Sequence, residues 1–99
     1  MGVGGKMEEL IKLHEELLDY LHFLYVEKNT AYGNSVHDTY EKYGLTSFLV
    51  RMEDKLNRAR TLTLNKDLDE NDEKIEDTLF DLANYAILAI MELRQDKED

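Results

Sequence analysis

The stretch that decides the fold runs from Ile75 to Leu93 and reads IEDTLFDLANYAILAIMEL. On a helical wheel at about 100° per residue, Ile75, Leu79, Leu82, Ala86, Ala89 and Leu93 form one apolar stripe. Phe80, Ala83, Ile87 and Ile90 widen it, and Leu88 and Met91 fall where a polar side should be. A helix that is apolar on all sides is expected to be enclosed. Asp77, Asp81 and Asn84, at i, i+4 and i+7, continue the line of Leu88 and Met91. At least some of these polar groups are therefore expected to be buried or to line a cleft, and a buried Asp is rare unless paired. Asn71 is the expected N-cap, with Asp72 and Glu73 in a first turn whose dipole favours anions.

Outward from this helix, Thr63 to Glu70 reads as a polar, acidic connection. The preceding helix is expected to start at Thr46 or Ser47, either hydroxyl capping it, and to run to about Leu62. Phe48, Met52, Leu56 and Ala59 form its apolar stripe, while Arg51, Asp54, Lys55 and Arg58 form an adjacent polar stripe at i, i+3, i+4 and i+7. Gly44 punctuates the chain before it, and a short helix is expected over about Val36 to Lys42. Asn29 to Ser35 carries turn chemistry. From Met7 to about Lys28, Met7, Leu10, Ile11, Leu17, Leu18, Leu21, Leu24 and Tyr25 recur at helical spacing, with Glu8, Lys12, Glu15, Glu16 and Asp19 on the opposite, solvated arc.

The expected architecture is all-α, a compact bundle of three long helices and one short one, with no strand signal. Residues 1–6 read as a flexible N-terminus, 7–95 as a single helical domain and 96–99 as a frayed acidic tail. The outer helices have wider apolar arcs than a small monomer needs, which points to a dimer or higher homo-oligomer.

The composition narrows the chemistry. The 99 residues include 22 acidic and 12 basic side chains, for a formal charge of -10, and no Cys, Pro or Trp. Duplex nucleic acid needs a surplus of Lys and Arg and is an unfavourable partner for such a chain. Thiolate metal sites and cysteine nucleophiles are excluded. There is no apolar run of the roughly 20 residues that a membrane span requires. No signal-peptide pattern opens the chain, so the cytoplasm is the expected location.

Three constellations remain. Glu73, Asp77 and Asp81, with Asn84, project from one helix flank about a turn apart, a spacing that can present oxygens to Mg²⁺ or form an ordinary solvated acidic turn. Arg51, Lys55 and Arg58 form a cationic stripe that can hold phosphate; equally, they can pair with Asp54, Asp77 or Asp81. Lys28, Asn29, Tyr32 and Asn34 offer an aromatic face and side-chain donors suited to a base or sugar, although turn residues alone would look similar. His14 and His22 border the first apolar arc without an i, i+4 His partner and fit structural roles better than metal binding. Tyr20, Tyr25, Tyr40, Tyr43 and Tyr85 read as core or interface residues. No P-loop, nucleophile elbow or dinucleotide fingerprint is present.

The blocks Lys28-Asn29-x-x-Tyr32-Gly33-Asn34, Arg51-Met52-Glu53-Asp54-Lys55-Leu56-Asn57-Arg58 and Glu76-Asp77-Thr78-Leu79-x-Asp81-Leu82-Ala83-Asn84-Tyr85 occur in that order. Together they resemble the nucleotide-modification-associated domain, a small helical family frequent in bacteriophages and similar to the MazG-type all-α nucleoside triphosphate pyrophosphohydrolases. In the MazG-type enzymes two helices each supply a carboxylate pair that holds Mg²⁺ on a triphosphate. The resemblance implies a counterpart to the second pair in Glu73 and Asp77, with Asp81 one turn on. Where the enzymes carry Glu-x-x-Glu, this chain has Arg51-x-x-Asp54 followed by Lys55 and Arg58, and Glu53 points away from Asp54 on the wheel.

Exchanging carboxylates for bases trades a metal-mediated phosphate contact for a direct one, which retains binding better than it activates water. The leading expectation is a phage-type oligomer that binds a small phosphorylated nucleotide, free, cyclic or a messenger oligonucleotide, without hydrolysing it. Its ligand-binding set would be Lys28, Asn29, Tyr32, Asn34, Arg51, Lys55, Arg58, Asp77, Asp81 and Asn84, and its role sequestration of a messenger or handling of precursors. The alternative is a Mg²⁺-dependent pyrophosphohydrolase using Asp54, Glu73, Asp77 and Asp81, with Glu73, Asp77 and Asp81 as metal ligands. The third possibility is a helical interaction module with no small ligand.

Overall fold

With no proline anywhere in the chain, helices end only where glycine or polar side chains interrupt the apolar repeat. The structure, a computed structural model, describes residues 3–32, 35–65 and 70–98, excepting the side chains of residues 3, 4, 31, 32, 70, 71 and 98. Its elements are α1 (Val3–Tyr32), α2 (Ser35–Tyr43), α3 (Thr46–Leu64) and α4 (Glu70–Glu98). Among the described residues there is no strand, and no helix is long and apolar enough to cross a membrane. The chain divides into two compact units, Met1–Gly33 and Asn34–Asp99.

The first unit is α1 alone. It extends about four residues past each expected end. Val3 to Lys6 are helical rather than loose, and Asn29 to Tyr32 continue the helix rather than open a loop. The Thr30 hydroxyl bonds the Val26 carbonyl at 2.8 Å, which lets a β-branched polar residue sit within the last turns. Leu21 is buried, whereas Met7, Leu10, Ile11, Leu17 and Leu18 remain exposed.

In the second unit α3 and α4 pack antiparallel: Phe48 and Ala89 share one cluster, Arg51 lies over Tyr85 and Lys55 meets Asp81. The same register brings the small Ala59 level with Thr78, both buried, and the Thr78 hydroxyl is satisfied by the Lys74 carbonyl at 2.7 Å. The core centres on Phe48, 1% exposed, with Tyr40 and Ala89, and Val36, Tyr85 and Leu88 pack around them. The Tyr40 and Phe48 rings are tilted with centroids 5.9 Å apart, which joins α2 to this seam.

Gly44 punctuates the chain as expected, and three other local expectations are corrected. Gly44 ends α2 with φ of 69°, its N–H bonding the Tyr40 carbonyl at 2.7 Å. Neither Thr46 nor Ser47 caps α3: Leu45, already right-handed, precedes the helix without a side-chain cap, and Ser47 donates back to the Gly44 carbonyl at 2.8 Å. Asn71 lies inside α4, which begins at Glu70, and the far end continues to Glu98 instead of fraying after Gln95. The expectation that α4 is enclosed also fails in the single chain. Leu79, Ile87, Ile90, Met91 and Leu93 are exposed, because α2 and α3 cover only part of its circumference.

Candidate functional site

The α3 and α4 seam has two unlike flanks, because side chains at i, i+3, i+4 and i+7 share one side of a helix. On one flank Leu49, Met52, Glu53, Leu56, Leu79, Leu82, Ala83 and Ala86 line an open, largely apolar groove of about 520 Å³. Its lining includes Glu53, which separates that carboxylate from the flank of Asp54. The opposite flank is polar and carries most of the residues singled out by spacing.

There, Lys55 Nζ lies 3.0 Å from Asp81 Oδ2, with the two side chains 30% and 21% exposed. A partly desolvated pair of this kind is held more firmly than a surface ion pair, since less water competes for either charge. Four residues back along α3, the Arg51 guanidinium sits 5.9 Å from the centroid of the Tyr85 ring, within the range of a cation–π contact. Arg58 and Asp54 stand on the same flank of α3 and are exposed. Asn84 is half-buried, and its Nδ2 is shut off from solvent with no hydrogen-bond partner among the described residues. A buried amide donor without a partner is unusual in a folded chain.

Thus Arg51, Lys55, Asp81 and Tyr85 come together. Asp77 and Glu73 are exposed on α4, toward its start. Lys28 and Asn29 are exposed on the last turns of α1, in the other unit. Asn34 and the side chain of Tyr32 lie outside the described residues. Among the described residues no three His, Asp or Glu side chains form a group able to hold a metal ion, and Asp81 is turned to Lys55.

Spacing missed a second polar cluster, where α2 meets the C-terminal half of α4. His37 Nδ1 lies 2.9 Å from both carboxylate oxygens of Glu92, and its Nε2 lies 2.9 Å from Glu41 Oε1. The hydrogen bond to Glu92, more than the surrounding charge, raises the His37 pKa above its ordinary 6.5, against a smaller opposing effect of desolvation. One turn on, the Tyr40 hydroxyl donates to Asp96, and that bond raises the phenol pKa. Only the i, i+4 pair His37 and Glu41 could have been found by spacing; the partners on α4 lie 55 and 56 residues away.

A family model described as "Nucleotide modification associated domain 1" matches residues 28–93, well over half of the chain, spanning α2, α3 and most of α4. No curated protein and no solved structure gives a significant match.

Proposed function

The chain belongs to the nucleotide modification associated domain 1 family, and from that membership we propose that it binds a small phosphorylated nucleotide on the polar flank of the α3 and α4 seam. Arg51, Lys55 and Arg58 hold phosphate, the first and last through paired N–H donors and Lys55 as a point charge. Asp81 orients Lys55, and Asn84 reads a ligand hydroxyl or base edge. Asp77, exposed on α4, completes the ligand set in this reading. The observation that carries it is the pairing of Lys55 with Asp81 beside an Arg51 that rests on an aromatic ring and an Asn84 amide left unpartnered. A stripe of cations within a chain of charge -10 is a local reversal of sign, which suits a compact anion better than a duplex.

The protein retains its ligand intact, in a MazG-like homo-oligomer that acts in the cytoplasm, that of the host where it is phage-encoded. In this setting it sequesters a nucleotide or handles precursors of modified bases. Support for binding over hydrolysis comes from the base-rich α3 stripe and from the engagement of Asp81 by Lys55. Direct phosphate contacts supply affinity but no activated water.

Incubation of the purified protein with nucleoside triphosphates and cyclic nucleotides, with and without Mg²⁺, followed by release and identification of what is retained, tests the proposal. Intact ligand is expected, and replacing both Lys55→Ala and Arg58→Ala should weaken retention at least about tenfold, the loss of roughly one charge-assisted contact. Recovery of a monophosphate and pyrophosphate would instead establish a Mg²⁺-dependent pyrophosphohydrolase. Retention of nothing, with full tolerance of both substitutions, would leave an interaction module.

A further inference from the structure

We propose that His37 is a protonation-controlled latch that docks α2 onto the C-terminal half of α4. Its imidazole stands between two carboxylates, with Nδ1 at 2.9 Å from Glu92 and Nε2 at 2.9 Å from Glu41. A carboxylate only accepts, so both contacts are hydrogen bonds only when both ring nitrogens carry protons, which is the imidazolium form. A neutral ring has one N–H. Whichever tautomer it adopts, a nitrogen lone pair then faces a carboxylate oxygen, and one contact turns repulsive.

The two partners are not equivalent. The Glu41 side chain is 68% exposed and can turn into water within its own helix, whereas that of Glu92 is 13% exposed and comes from α4. Loss of the His37 proton therefore leaves a largely desolvated carboxylate without its cation at the junction of the two helices, and undocking α2 rehydrates it. The titratable groups around His37 are Glu41 and Tyr40 from α2, with Glu92 and Asp96 from α4. Glu92 and Glu41 both favour the charged ring, and Asp96 is engaged by the Tyr40 hydroxyl.

The consequence extends beyond one ion pair because α2 has nine residues, fewer than the roughly 12 that an isolated helix needs. It persists through docking: Val36 and Tyr40 pack into the Phe48 and Ala89 cluster, and His37 and Tyr40 bond α4. Docking holds the proton more tightly than the free helix does, since the folded-state pKa lies above 6.5. The latch thus contributes fully below about pH 6.5 and is lost as pH rises through the raised value. It is independent of what the α3 and α4 flank binds.

Hydrogen exchange on the full chain between about pH 5.5 and 8.5, corrected for intrinsic rates and read at the α2 amides against those of α3, tests this. Opening of α2 is expected to rise several-fold across that range while α3 stays constant. His37→Gln should show the high-pH behaviour throughout, and His37→Arg, which keeps its charge, the low-pH behaviour. The NMR titration of the wild-type His37 ring should follow the same midpoint. Protection of α2 that is flat with pH, a pH step that survives in His37→Gln, or a ring midpoint that does not coincide with the step would overturn the proposal.

Discussion

Asn84 keeps an amide nitrogen buried with no hydrogen-bond partner among the described residues, a condition that costs about 1–3 kcal/mol. An apolar side chain of similar volume would avoid that cost. Asn84→Leu is therefore expected to raise the urea midpoint, by about 1 kcal/mol in unfolding free energy, while weakening nucleotide retention; urea titration and the retention assay measure the two effects separately. A destabilised variant would mean that the amide is satisfied after all. Lys55 and Asp81 show how far residue-level reading reaches. An Asp set among Phe80, Leu82 and Ala83 needs a partner, a cation stripe on the neighbouring helix offers one, and the two meet at 3.0 Å. His37 shows where such reading stops, because its partner on α4 is 55 residues away and no local pattern marks it.

At the scale of elements, the turn between α2 and α3 rests on Gly44, whose φ of 69° is open to L side chains only under strain. A Cβ built there would meet nothing within 4 Å, so Gly44→Ala is expected to cost about 1–2 kcal/mol from backbone conformation alone, read by thermal or urea unfolding. Phe48, immediately beyond this turn, joins α2 to the seam and is 1% exposed. Phe48→Ala should cost about 3–5 kcal/mol, and calorimetry should show most of the cooperative transition lost. The apolar stripe that placed α3 was legible to within a few residues, since periodicity is local, and Gly44 marked the end of α2. The helix caps were not: Ser47 and Asn71 are favourable cap residues by type, yet the backbone enters α3 through Leu45 and α4 through Glu70.

For the molecule as a whole, the apolar surface left open is the dominant fact. Leu10, Ile11, Leu17 and Leu18 on α1, and Leu49, Leu56, Leu79 and Ile90 on the second unit, are all exposed in the single chain. A small acidic protein gains by covering such surface with another copy. Sedimentation at micromolar concentration is expected to give at least twice the 11.6 kDa chain mass, and a strictly monomeric mass would exclude the proposed oligomer. By itself the sequence determined that the chain is helical, roughly where the four helices of the described residues lie, and that bases gather on one side of α3 against the overall sign of charge; spacing along a helix and residue chemistry suffice for these. Only the tertiary structure decided that Lys55 faces Asp81, that His37 reaches Glu92, and that α4 is covered on part of its circumference. Each depends on which helix packs against which, and that is set by the non-local shape of apolar faces such as those of Phe48 and Ala89.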